Sequence, residues 1–179
     1  VPRELNIETV RGRMPVRYRM PVFMRILGIV IHSLISGYCI FMLFTRVSSE
    51  THILLKILPL VILFISLDAL FKHFTTLNSV FFTPECLWFR YLLLPSVPVE
   101  YDKISAMELR RVLTWYMFLE FTDSRGKRRL LKNPASFPKM MEIMYNIADL
   151  APQVRMNEEL DKMISVIRRV KDRQEQISE

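Results

Sequence analysis

The sequence predicts an α+β membrane protein: a two-helix transmembrane hairpin, then a bent antiparallel β-sheet capped by a helix, and a further C-terminal amphipathic helix. Three observations predict it. Apolar residues, 51% of the 179-residue chain, concentrate between Pro21 and Phe71. Beyond Phe74 continuous apolar runs give way to alternation, and two late segments repeat apolar residues at helical spacing. With two spans set aside, the remainder holds one small domain with a modest core.

The first apolar run, 22–44, reads VFMRILGIVIHSLISGYCIFMLF. At 1.5 Å per residue it crosses a hydrocarbon layer of ~30 Å with some tilt. It is too long for a signal-peptide core and no small-residue cleavage site follows, so a retained span is expected. The second run, 53–71, reads ILLKILPLVILFISLDALF, and its charges Lys56 and Asp68 lie about one turn from the ends, within reach of an interface. The short connector TRVSSETH forces an antiparallel hairpin.

Positive charge sets the expected orientation. Arg11, Arg13, Arg17, Arg19 and Arg25 cluster at the start of the first span and Lys72 follows the second, whereas the connector has Arg46 offset by Glu50. Both termini are therefore expected on the cytoplasmic side. The net charge of +7 is spread along the chain, and its excess near the spans fits anionic lipid headgroups better than nucleic acid, for which no zinc-finger, helix-turn-helix or aromatic-interleaved basic pattern stands out.

Within the hairpin, Arg25 and Asp68 fall at similar depth, and two readings stand side by side: an intramembrane pair, or separate snorkelling to water. His32 falls near the middle of its span, where a neutral imidazole hydrogen-bonded inside a helix interface is expected rather than a proton relay. Gly28, Ser33 and Gly37, with Ser36 nearby, are read as a small-residue face for close helix packing.

In the soluble part strands are predicted over 79–82, 86–93, 99–101, 104–110, 113–122 and 127–132. The run 113–122 places Leu113, Trp115, Met117, Leu119 and Phe121 on one face and reads as the main core strand. A turn at Asp123-Ser124-Arg125-Gly126 leads into a basic edge, making Arg125, Lys127, Arg128, Arg129 and Lys132 a candidate anionic-surface site. Ser136 is read as the cap of a helix over 137–150. A last helix, 156–176, has Leu160, Met163, Ile164 and Ile167 on one side, a face that either packs on its own domain or grips a partner helix. The expected division is an N-terminal basic arm (1–21), the hairpin (22–74), the sheet domain (75–152) and the final helix and tail (153–179).

Chemistry-bearing patterns are sparse. Cys39 and Cys86 offer no disulfide framework, and His32, His52 and His73 lack partners at ligand spacing, so no metal or cofactor is expected. Four glycines supply no phosphate-binding loop, and no nucleophile elbow or paired carboxylates emerge; no enzyme is expected.

The segments FFTPECLWFRY, VPVEYDKISAMELRR and WYMFLEFTDSRGKRRLLKNP, directly after a two-helix anchor, resemble the bacterial pleckstrin-homology-like, membrane-flanked family. The resemblance covers about 70 soluble residues and implies a PH-like bent sheet capped by a helix, used for binding or assembly in the bacterial cytoplasmic (inner) membrane. In lipid-binding relatives the basic motif lies around the first hairpin, whereas here the cations fall in the last and the first has Arg90. The expected role is a non-catalytic scaffold or accessory subunit partnered by membrane lipids and other membrane-protein subunits, without nucleic acid; the alternative is a binder of anionic lipid headgroups.

Overall fold

The computed structural model describes residues 7–48 and 50–178, apart from the side chains of residue 172 and residues 174–178. The chain forms two compact units: one comprises residues up to Arg19, Ser79–Arg90 and everything from Ser96 onward, the other Met20–Asn78 and Tyr91–Pro95.

The second unit is built on two long helices, α1 (Val22–Thr45) and α2 (Ile53–Thr75). Each is long and apolar enough to cross a membrane, and only 11% and 6% of their most apolar stretches are buried. A core helix of a soluble domain would hide most of such a surface; here Phe23, Phe44 and Phe64 stand more than two-thirds exposed. At the start of α2 the His52 ring accepts a hydrogen bond from Leu54 N–H. The helix runs four residues past the expected end at Phe71, because Lys72 and His73 end the apolar run but not the helix. Their placement in the last turn complements the helix dipole.

The first unit holds the strands, in two four-stranded sheets rather than one bent sheet. One has the order β1 (Val16–Arg19), β2 (Leu77–Phe82), β3 (Cys86–Tyr91), β4 (Val97–Glu100). A 3-10 turn at Tyr101–Lys103 separates β4 from β5 (Ile104–Arg111). That strand pairs antiparallel with β6 (Trp115–Thr122), which pairs with β7 (Arg128–Pro134), while a two-residue strand, β8 (Arg155–Met156), runs parallel to the other edge of β5.

β1 lies in the segment expected to be a basic N-terminal arm. Its residues pair with β2, from Val16 opposite Phe82 to Arg19 opposite Ser79. The helical hairpin is thus an insertion between two neighbouring antiparallel strands, so the chain leaves the sheet and returns to it side by side. The arm is fastened further by Asn146, fully buried, which accepts from Val10 N–H and donates to Glu8 C=O. Tyr18 donates to the buried Glu142 carboxylate at 2.8 Å; burial, then this carboxylate, raises the phenol above its ordinary range.

Val80, Phe82, Leu87, Phe89, Val99, Ile104, Met107, Met117, Leu119 and Phe121 make the core with α3 (Met140–Leu150) and α4 (Glu158–Ser178). The expected core strand is right for Met117, Leu119 and Phe121, but Leu113 and Trp115 sit at the exposed end of the β5–β6 hairpin. Ser136 does not cap α3. The segment 135–139 folds as turns, and Lys139, with a left-handed φ of 57°, precedes the helix.

Candidate functional site: the helical hairpin and the basic sheet face

Along the line where α1 meets α2 runs a seam of polar groups. Helical spacing puts Arg25, Gly28, His32, Ser36 and Cys39 on one side of α1. Ser36 Oγ donates to Ser66 Oγ at 3.1 Å, and Ser66 Oγ donates to the His32 carbonyl at 2.9 Å. The His32 ring bonds through Nδ1 to the Gly28 carbonyl and lies 5.4 Å from the His73 ring, centroid to centroid. Gly28 has no side chain because the His73 imidazole occupies the space where one would be.

The expected Arg25–Asp68 pair is corrected. Arg25, 6% exposed, donates to Asn78 Oδ1 at 2.9 Å and to the Leu77 carbonyl at 3.0 Å. Asp68 binds Lys72 one turn along its own helix at 2.5 Å. Similar depth does not give similar azimuth: Asp68 is two residues, roughly 200°, around α2 from Ser66, the residue turned toward α1. The small-residue face divides within the hairpin. Gly28 and His32 lie in the seam, but Ser33 and Gly37 are exposed, and a methyl group on Gly37 would meet nothing within 4 Å.

The last helix also departs from its partner-gripping reading. Leu160, Ile164 and Ile167 are 0%, 1% and 8% exposed, so the stripe belongs to the domain's own core; Met163, at 38%, lies on its margin. Asn157, just before α4, exchanges two hydrogen bonds with the backbone of Leu109 and ties the helix to β5.

The five cations of the last hairpin divide by position. Asp123 holds the turn: its Oδ1 accepts from the backbone N–H of Arg125 and Lys127, and its Oδ2 from Arg129 Nε at 2.8 Å. The Arg129 hydrogen bond first, with those backbone donors, lowers the Asp123 carboxyl to about 2. Arg128 lies 3.6 Å from Glu120, and Lys132 stands 4.2 Å over the Tyr116 ring. Arg125 and Lys127 form no ion pair within 4 Å among the described residues.

Alternation sends Tyr116, Phe118 and Glu120 to the side of β6 opposite the core, with Glu108 and Arg110 from β5 and Leu130 and Lys132 from β7 beside them. Arg110 lies 5.6 Å over Phe118 and is paired with Glu108. Leu130 is 62% exposed, and a shallow pocket of about 280 Å³ lies between Ala106, Phe118, Glu120, Arg128 and Leu130. Sequence reasoning missed this face, although aromatic residues on both sides of one strand signalled it. It also missed Ser66, the sole serine within the second apolar run, and Asn78, which lies beyond that run.

Compared with known proteins, the chain matches no protein-family model, no curated protein and no solved structure.

Proposed function

We propose that this chain is a non-catalytic, membrane-anchored binding module that holds another protein subunit at the cytoplasmic face of a bacterial inner membrane. In this reading α1 and α2 cross the bilayer as an antiparallel pair, and the domain presents the outer face of the β5–β6–β7 sheet to its partner. One observation carries it: Tyr116 and Phe118 stand side by side on that face, overlaid by Lys132 and Arg110 and flanked by exposed Leu130. Aromatic rings with arginine are the residue types enriched where proteins meet.

A second reading, attachment to anionic lipid headgroups, is favoured by Arg125 and Lys127 at the hairpin tip, whose side chains form no ion pair within 4 Å among the described residues. The two separate by mutation. Tyr116→Ala with Phe118→Ala in the full chain should shrink the detergent-solubilised complex to the size of the lone protein while leaving the domain folded. Arg125→Gln with Lys127→Gln should leave that size unchanged. If the wild type already runs alone in mild detergent, the subunit reading fails. If the tip variant alone loses binding of the detergent-free domain face to anionic vesicles, the lipid reading takes its place.

A further inference from the structure

We propose that the loop between β3 and β4 is a third membrane-contact element, with Leu92, Leu93 and Leu94 seated among acyl chains at the cytoplasmic boundary of the hydrocarbon layer. The inference rests on the membrane-spanning reading of α1 and α2. Residues Tyr91–Pro95 belong to the same compact unit as the two helices. The loop is tied there by its backbone: Leu93 N–H donates to the Phe74 carbonyl, in the last turn of α2, at 3.3 Å.

That bond fixes the loop's depth. From Ile53 to Phe74 the helix rises roughly 32 Å, close to the ~30 Å of a hydrocarbon layer, so a chain bonded to Phe74 lies at its edge. Leu92, Leu93 and Leu94 are 46%, 69% and 47% exposed, three consecutive leucines showing their side chains at a level where Phe71, one turn below, is 65% exposed as well. Exposed leucines thus accompany the exposed apolar residues of the helix that the loop is bonded to, and a run of leucines without a cation suits acyl chains rather than headgroup phosphates. Tyr91 before it fits the interfacial level at which tyrosine is enriched. In water the same triad would be an exposed apolar patch on a tight turn, with no role in the core.

The test uses the full chain reconstituted in phosphatidylcholine–phosphatidylglycerol vesicles, with Cys39→Ala and Cys86→Ser and one cysteine carrying an environment-sensitive fluorophore. Labels at Leu92→Cys and Leu93→Cys should be quenched severalfold more by a lipid nitroxide near the headgroup than by one deep in the acyl chain, and should resist aqueous iodide. A label at Phe64→Cys reports the span, with the opposite depth preference, and one at Val166→Cys reports water. Loop labels open to iodide, or shielded from iodide and lipid nitroxide alike, with Phe64 quenched at depth, would overturn the proposal while leaving the spans intact. Loss of deep quenching at Phe64 would overturn both.

Discussion

The imidazole of His73 occupies the space where a side chain on Gly28 would be: a methyl group there would fall 2.4 Å from two of its ring atoms. The glycine therefore sets the distance at which α1 and α2 approach. Gly28→Ala forces the ring aside and should cost about 1 kcal/mol, the lower range for overpacking. His73→Ala in the same chain should recover most of that loss. Thermal unfolding of the detergent-solubilised variants measures both, and equal losses in single and double variants would show that the two residues do not share the space.

Ser66 should matter more than either exposed small residue. Ser66→Ala removes the bonds to Ser36 and to the His32 carbonyl and should lower stability by about 1 kcal/mol, the scale of interhelical hydrogen bonds between apolar helices. Ser33→Ala and Gly37→Ala should be neutral or slightly stabilising, since both positions face outward and alanine favours helix. The three variants compared in one unfolding assay decide the matter.

This contrast shows what was legible in the sequence and what was not. Period and length carry depth along a helix, so the hairpin, its connector and the level of Arg25 could all be read. Azimuth depends on which residue α2 turns toward α1, and hydropathy barely distinguishes the sides of a uniformly apolar helix. Ser33, about 100° from His32, therefore looked equivalent to Gly28 when it was not. Alternation identified Met117, Leu119 and Phe121 as core because a strand with one buried face has a strict period of two. It failed for β1, where Val16-Arg17-Tyr18-Arg19 alternates too, but its arginines were accounted for as flanking charge. Leu92 and Leu93, after β3, were absorbed into the expected strand 86–93, since an apolar run does not mark its own end.

The stripe of α4 predicts loss of folding rather than loss of a partner. Leu160→Ser and Ile164→Ser should each destabilise the domain by about 2–4 kcal/mol, the range for emptying a buried aliphatic site. Met163→Ser should cost well under half as much. Chemical denaturation followed by circular dichroism distinguishes this from a helix that grips another subunit, for which all three would leave the fold intact.

Asp123 predicts an acid-sensitive turn. Its folded carboxyl titrates at about 2, below the ordinary aspartate value, so the stability it contributes is present above pH ~4 and is lost as pH falls toward 2. Carbon-detected titration should give a midpoint near 2 in the wild type. Arg129→Gln, which removes the leading cause, should move it up toward 4, and an unmoved midpoint would assign the shift to the backbone donors of Lys127 and Arg125 alone.

If α1 and α2 cross a bilayer as proposed, Arg11 and Val166 lie on one side of it and the connector between the helices on the other. Single cysteines at Arg11, Glu50 and Val166, introduced with Cys39→Ala and Cys86→Ser, test it directly when intact bacterial cells are treated with a membrane-impermeant maleimide. The expected result is labelling at Glu50 from outside, and labelling at Arg11 and Val166 only after the cells are opened. Labelling of all three from outside, or release of the protein from membranes by alkaline carbonate, would contradict it.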